Sequence, residues 1–186
     1  YEPVVIPKKC KIDIKGTKIN VKGPQGELSF DIPDKISVKV EDEKVVVARA
    51  NENKKVKSLH GLTRSLINNM VIGVTEGYKK RLVLIWKGGK FTASGNKVTL
   101  DVNFIKKELT LPKNVKAEGI KSAKVKIPNM ERTRIAGAVD ISSPDKQKLG
   151  EIGAKIKSFL PPEVYHGKGI RYIDEHIKQK PGKVQA

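Results

Sequence analysis

The chain has 186 residues, of which 38% are hydrophobic and 5% aromatic. It is long enough to bury a core without disulfide or metal staples, and that core must lean on Val, Ile and Leu. Lys and Arg number 38 against 20 Asp and Glu, a formal net charge of +18. The excess is +6 over residues 1–80, +8 over 81–144 and +4 over 145–186. That spread fits a folded body facing a polyanion on several sides, and not a neutral domain with one basic tail. A membrane surface is the poorer partner. The sequence shows no basic amphipathic helix bearing large apolar groups, and no apolar run nears the roughly 20 residues of a membrane span. Cys10 is the only cysteine. It allows no internal disulfide, and with three histidines it makes no recognisable metal site. No signal peptide is visible, and the missing initiator Met is compatible with a cleaved presequence.

In chain order, the first organised segment is GTKINVKGPQGELSFDIPDKISV, residues 16–38. It returns at an offset of 79 as GNKVTLDVNFIKKELTLPKNVKA, residues 95–117. Ile19 and Val21 answer to Val98 and Leu100; Phe30, Ile32 and Pro33 answer to Leu109, Leu111 and Pro112. Period-2 alternation between turn formers predicts an antiparallel strand pair in each copy. Gly23-Pro24-Gln25-Gly26 is a strong turn. Val102-Asn103-Phe104-Ile105 replaces it in the second copy and is a poor one, so the hairpins are expected to diverge there.

A helix follows each copy. Leu59, Leu62, Leu66 and Met70 draw one apolar stripe, repeated at an offset of 90 by Leu149, Ile152, Ile156 and Leu160. The change from 79 to 90 implies about 11 extra residues in the second copy, near 124–144. Ser143 or Asp145 can cap the second helix, and Pro161-Pro162 stop it. The expected fold is α+β. Two duplicated small domains, residues 1–80 and 81–172, each pack a short antiparallel sheet on one helix, and a basic extension covers 173–186. Lys79-Lys80-Arg81 marks the boundary, before a strand beginning at Leu82. One face of each sheet is expected under its helix and the other open to a partner.

The most unusual stretch runs from Pro162 to Tyr172. Gly167 and Gly169 clear the backbone on either side of Lys168 for approach to a phosphate. Arg171 can fork onto phosphate or a base edge. Tyr165, His166 and Tyr172 can stack on exposed bases. The competing reading is an ordinary Gly-rich loop leading into a last strand. Lys178, Lys180 and Lys183 form a basic tail that either orders on RNA or stays solvated. Lys87 and Lys90 flank a Gly-Gly loop, and Lys57 and Arg64 lie on the first helix; charges in such places also commonly just face water. Catalysis is not expected. No nucleophile elbow, HExxH or CxxC is present, His60 reads as a packing residue, and Asp174-Glu175 read as solvated charge.

These residues carry a family resemblance. Leu66 to Tyr78 (LINNMVIGVTEGY) resembles the first-helix motif of ribosomal large-subunit protein six. The GKGIRY core at 167–172 with Asp174-Glu175 resembles its C-terminal signature. Pro3 to Pro7 and Val21 to Leu28 match it as well, so the resemblance spans essentially the whole chain. The PPEVYHGKGIRY segment resembles the bacterial and organellar branch. The resemblance implies a non-enzymatic duplicated α+β protein, without cofactor or small-molecule substrate. It implies binding to large-subunit ribosomal RNA beside the sarcin–ricin loop and near the translation-factor region, with neighbouring ribosomal proteins as partners and no homo-oligomer. Carried over by position, it points to Tyr165, Gly167, Lys168, Gly169, Arg171 and the lysines after Ile177. Residues 85–91, 102–105 and 128–142 depart from the family pattern, and such drift favours a mitochondrial matrix origin over bacterial cytoplasm. A free-standing nucleic-acid-binding regulator is the alternative; Arg64, Asn68 and Asn69 on the first helix would then read bases.

Overall fold

A computed structural model describes residues 3–41, 44–121 and 135–182. The chain divides into two compact units: residues 1–78 with 143–146, and 79–142 with 147–186. Within the first unit lie β1 (Val4–Val5), β2 (Lys11–Lys15), β3 (Lys18–Gly23), β4 (Gly26–Asp31), β5 (Ile36–Glu41), β6 (Lys44–Arg49) and α1 (Lys54–Thr75). They form two three-stranded antiparallel sheets, β2-β3-β4 and β1-β6-β5. α1 packs against β1, β3, β4, β5 and β6. The shared core is almost wholly aliphatic: Ile19, Val21, Ile36, Val38, Val45, Val47, Ile67, Val71 and Val74, with Cys10 at its edge. Burial pushes the Cys10 thiol up from its ordinary value, so it behaves as a small apolar side chain.

The buried stripe of α1 is only partly the expected one. Leu62 is about half exposed, and Leu59 and Leu66 are only half-buried. Met70 is buried as expected and Leu59 packs on the core's margin, but Val56, His60, Thr63, Ile67, Val71 and Val74 make up the rest of the core face. Two polar members disguised this face. His60 is buried, with its Nε2 2.9 Å from the Val47 carbonyl, which satisfies a polar ring in an aliphatic core. The helix starts where Asn53 accepts a hydrogen bond from the Lys55 amide, 3.1 Å. Its far end is clamped by the β3–β4 turn: the Gln25 amide donates to the Val74 carbonyl at 2.9 Å. A Cβ on Gly23 would lie 2.5 Å from that same carbonyl oxygen.

The second unit contains most of β7 (Tyr78–Ile85), then β8 (Lys90–Ser94), β9 (Lys97–Val102), β10 (Ile105–Thr110), β11 (Lys116–Ile120), β12 (Ile135–Ser143), α2 (Lys146–Lys157) and β13 (Gly169–Tyr172). Sheet β8-β9-β10 repeats β2-β3-β4 at the offset of 79 read from the sequence, and β11-β12-β7 repeats β5-β6-β1 in order. β13 has no counterpart and lies on the outer edge of β7. The expected insertion falls largely on 122–134, outside the described residues; residues 135–144 supply β12 and the approach to α2. β7 begins at Tyr78, so Lys79-Lys80-Arg81 form part of a strand rather than a linker.

The second unit also corrects the expectation of an open sheet face. Leu82, Val83, Leu84 and Ile85 are all buried in succession, the pattern of a strand covered on both sides. The β8-β9-β10 sheet also comes close to the neighbouring strands β11 and β12. Cβ atoms on Gly119 and Gly137 would lie 2.9 Å from the Ala93 amide nitrogen and 2.6 Å from the Phe91 carbonyl oxygen. The hairpin with the poor turn is formed tightly. Val102 pairs with Ile105 across a two-residue turn, because Asn103 adopts φ 50°, a conformation Asn tolerates better than most residues. α2 buries Leu149, Ile152, Gly153 and Ile156. It ends at Lys157, before Leu160 and the proline pair. Ahead of it, Ser143 Oγ accepts from the Asp145 amide at 3.1 Å.

These close approaches separate two classes of glycine. Gly137→Ala should destabilise by about 1–3 kcal/mol, since a methyl would press on strand backbone. Gly150→Ala, in α2 with no atom near its would-be Cβ, should stabilise by about 0.5–1 kcal/mol. Urea unfolding of the two variants checks the opposite signs.

Candidate nucleic-acid interface

β13 is the element that builds the site. Gly169, Ile170, Arg171 and Tyr172 pair with Ile85, Leu84, Val83 and Leu82 of β7. Gly169 has φ 128°, and a Cβ there would meet the Pro161 carbonyl oxygen at 2.6 Å and Pro162 Cα at 2.8 Å. Both its conformation and its space admit glycine only. Ahead of it the chain folds on itself. Glu163 donates to the Lys168 carbonyl at 2.7 Å, Gly167 donates to the Glu163 carbonyl at 3.0 Å, and Ile170 donates to the Leu160 carbonyl at 2.7 Å. Gly167, at φ 67°, makes the turn. His166 Nδ1 lies 3.4 Å from Glu163 Oε1.

The signature therefore divides in two. Its second half is a last strand, the competing reading of the sequence. Arg171 is 8% exposed, so it presents no open fork to a phosphate from where it sits. Tyr172 is half-buried, its hydroxyl 2.6 Å from the would-be Cβ of Gly153 in α2. Its ring is flanked by Lys80 Nζ at 5.0 Å and Lys157 Nζ at 5.7 Å, so it is engaged within the unit and presents no open face for a base. Burial raises its phenol above the ordinary value, with the nearby Lys157 charge opposing. Tyr165, His166 and Lys168 remain exposed.

Pairing Gly169 with Ile85 puts Lys168 beside Trp86, where its Nζ stands 5.7 Å from the indole centroid. The turn after Trp86 then folds back over β9. Gly88 takes φ 80°, and a Cβ on Gly89 would touch Val102 Cγ2 at 2.9 Å and Trp86 Cδ1 at 3.4 Å. Lys90 and Lys106 stand on either side of Asp101 in one row of the sheet. Trp86 thus has Lys168 over its ring and Lys87 next to it in the chain, while Lys90 and Lys106 share one row of the β8-β9-β10 sheet, and all four lysines are exposed. Next to Val102 stands Phe104, fully exposed at the hairpin tip. Lys106, Trp86 and Phe104 were not among the residues expected from the sequence. Their signal was there: the 79-residue repeat sets the hairpin register, and that register places Lys106 opposite Asp101.

The other expected residues lie elsewhere. Lys57 is exposed but pairs with Glu52 at 3.0 Å, which Arg49 also holds at 2.6 Å; those two cations keep the Glu52 carboxyl below the usual range. Arg64 is half-buried on α1. Lys178 and Lys180 are exposed, on a tail whose course is fixed by the Lys180 amide donating to the Val164 carbonyl at 3.0 Å. Lys183 lies outside the described residues. Glu175 is not the solvated charge it was taken for. It accepts from Lys157 Nζ at 2.5 Å and from the Tyr172 amide at 3.2 Å. Burial would raise its pKa, but these two hydrogen bonds and the charges of Lys157 and Arg171 outweigh it and hold the carboxyl below the ordinary value.

Among the described residues no three His, Cys, Asp or Glu converge as metal ligands, and no helix is long and apolar enough to cross a membrane. Fold and surface define a basic, duplicated α+β protein. The family model for ribosomal protein L6 matches residues 6–77. The sequence is 39% identical to the large ribosomal subunit protein uL6 of Crocosphaera subtropica, over 98% of this chain and 94% of that one. Identity to the uL6 proteins of Synechocystis and Parabacteroides distasonis is 38% and 41%, each over 97% of this chain and 94% of the relative. The chain belongs to the large ribosomal subunit protein uL6 family. These relatives are bacterial, and they give no support to the mitochondrial origin expected from the departures at 85–91, 102–105 and 128–142.

The Glu175 cluster yields a pH test. A carboxyl with a depressed folded pKa contributes stability above its unfolded value of about 4.3, and loses it as pH falls through the folded value. Glu175→Gln should lower Tm by about 2–4 °C at pH 7. The gap to the parent should close as the pH drops below about 4, as thermal melts across pH 3–8 will show.

Proposed function

We propose that the protein docks on large-subunit ribosomal RNA through the lysine-rich end of its second unit, beside the sarcin–ricin loop and near the translation-factor region. As a member of its family it is a structural, non-enzymatic constituent of the large ribosomal subunit. The observation that carries the docking surface is Lys168 over Trp86 beside the Lys87-bearing turn that packs on Val102, with Lys90 and Lys106 in one row of the sheet that Val102 belongs to, exposed cations drawn from three separate stretches of chain. Exposed ammonium groups displace counterions from phosphates, and that release drives association. Helical RNA offers a shallow minor groove and its 2′-hydroxyls, so shape and backbone are read more than sequence. Tyr165 and His166 extend the surface on one side, while Gly167 is buried beneath Gln179 and offers no open backbone, and Lys178 and Lys180 continue the surface along the tail. Lys57 and Arg64 belong to the first unit and are secondary contacts. The bacterial relatives favour a ribosome in bacterial cytoplasm, with the protein present as a single copy among neighbouring ribosomal proteins.

The test is a salt series with two RNAs: a fragment carrying the sarcin–ricin stem with its neighbouring helices, and a length-matched unrelated duplex. The parent should prefer the ribosomal fragment, and the preference should persist as salt rises. Lys87→Ala with Lys168→Ala should weaken binding at least tenfold at moderate salt and reduce the slope of log K against log salt by about 1.5–2. Unchanged binding by the double variant would remove this surface from the interface.

A further inference from the structure

We propose that Phe104 is a stacking wedge that takes one unpaired nucleobase of the bound RNA, so that the partner presents a looped-out or terminal base at the cationic end of the second unit. This rests on the docking surface proposed above and adds what that surface selects.

Phe104 does no work in the core. It is fully exposed, while Phe91 is buried and Trp86, Tyr78, Tyr172, Phe30 and Phe159 are each at least half-buried. A chain that is only 5% aromatic nevertheless places a phenyl ring at the outermost point of a hairpin. The hairpin is not loose. Six pairs run from Ile105↔Val102 to Thr110↔Lys97, and Asn103 at φ 50° closes the turn in two residues. The ring is thus presented from a fixed backbone, and little chain entropy is lost when it meets a flat partner.

Its surroundings select the kind of partner. Two residues along the chain is Lys106, and across Asp101 in the same row is Lys90. The Gly88-Gly89 turn bearing Lys87 packs on Val102, immediately before the tip. An apolar pocket on a protein would complement the phenyl but offer no counter-charge to Lys87, Lys90 and Lys106, which outnumber the single Asp101 among them. A nucleotide satisfies both, with a base against the ring and its flanking phosphates beside the ammonium groups. Stacking on an aromatic residue is tolerant of base identity, so the wedge selects an accessible base plane and not a sequence. A continuous duplex buries its base planes and offers none.

The experiment uses the full chain and two RNA hairpins that differ only in one bulged nucleotide, replaced by 2-aminopurine for a fluorescence readout. The parent should bind the bulged RNA about tenfold more tightly than the continuous one and shift the 2-aminopurine emission. Phe104→Ala and Phe104→Leu should both lose the preference and the emission change, with the salt slope retained and circular dichroism unchanged. Phe104→Trp should keep them. Equal binding of the two RNAs by the parent, or full preference in Phe104→Leu, overturns the wedge; the latter would mean that an apolar contact suffices, as in a protein pocket. Loss of duplex binding in Lys87→Ala with Lys168→Ala tests the docking surface separately. If that variant binds as the parent does, the docking surface itself is wrong, whatever Phe104 does.

Discussion

The pairing of β13 with the outer edge of β7 is the constraint on which the rest of the second unit's surface depends. Without it β7 would be an edge strand carrying four consecutive buried apolar residues, an exposed pairing template of the kind proteins avoid. With it, Lys168 is delivered to Trp86 and the loop before it is closed by three backbone hydrogen bonds. The pairing is possible only because Gly169 lies flat against the carbonyl oxygens of Leu160 and Pro161. The Lys157–Glu175–Tyr172 cluster fastens the other end of the strand to α2. A short strand held at both ends in this way converts a flexible terminus into a fixed support for surface cations.

Duplication explains the rest of the architecture, and the differences between copies show where the two units diverged. The same order of strands appears twice. In the first copy, the hairpin turn at Gly23–Gly26 is used internally, docked on the end of α1 through Val74. In the second, the corresponding turn at Asn103–Phe104 is left standing in solvent. The same local structure is a structural clamp in one unit and an exposed tip in the other. The outer edge of β1 in the first sheet is the one covered by β13 in the second.

Much of this was legible in the sequence because repeats and alternation are local and periodic. The offset of 79 made two strand equivalences legible, and the structure extends them to the hairpin register that brings Lys106 to Asp101. What misled was the polar content of the α1 core face: His60 and Thr63 hid the buried stripe, while Leu59, Leu62 and Leu66 drew a more apolar one on the flank. Arg171 and Tyr172 misled for a related reason. A strand residue's exposure depends on what covers its sheet, and α2 and β7 reach these two from far away in the chain. The turn at Asn103 was underrated because the scarcity of glycine there counted for more than the ability of Asn to take a positive φ.

The division of labour between the two cations bears on how RNA is read. The chain has 32 Lys and only 6 Arg. The arginines placed within the described residues are largely taken up by the protein itself. Arg49 holds Glu52, Arg81 grips Asp140 through two hydrogen bonds of 2.6 Å across its sheet, and Arg171 is buried in β13. Guanidinium forks suit such planar, two-point pairing within the fold, whereas lysine is a mobile point charge suited to phosphate. The commonest direct contact to a base edge is an Arg fork on guanine. A surface built from lysines with projecting aromatic rings is poorly equipped for that and well equipped for backbone charge, groove shape and an open base plane. Selectivity must then come from the three-dimensional form of the RNA, which suits a protein whose partner is a folded ribosomal RNA rather than a short sequence element.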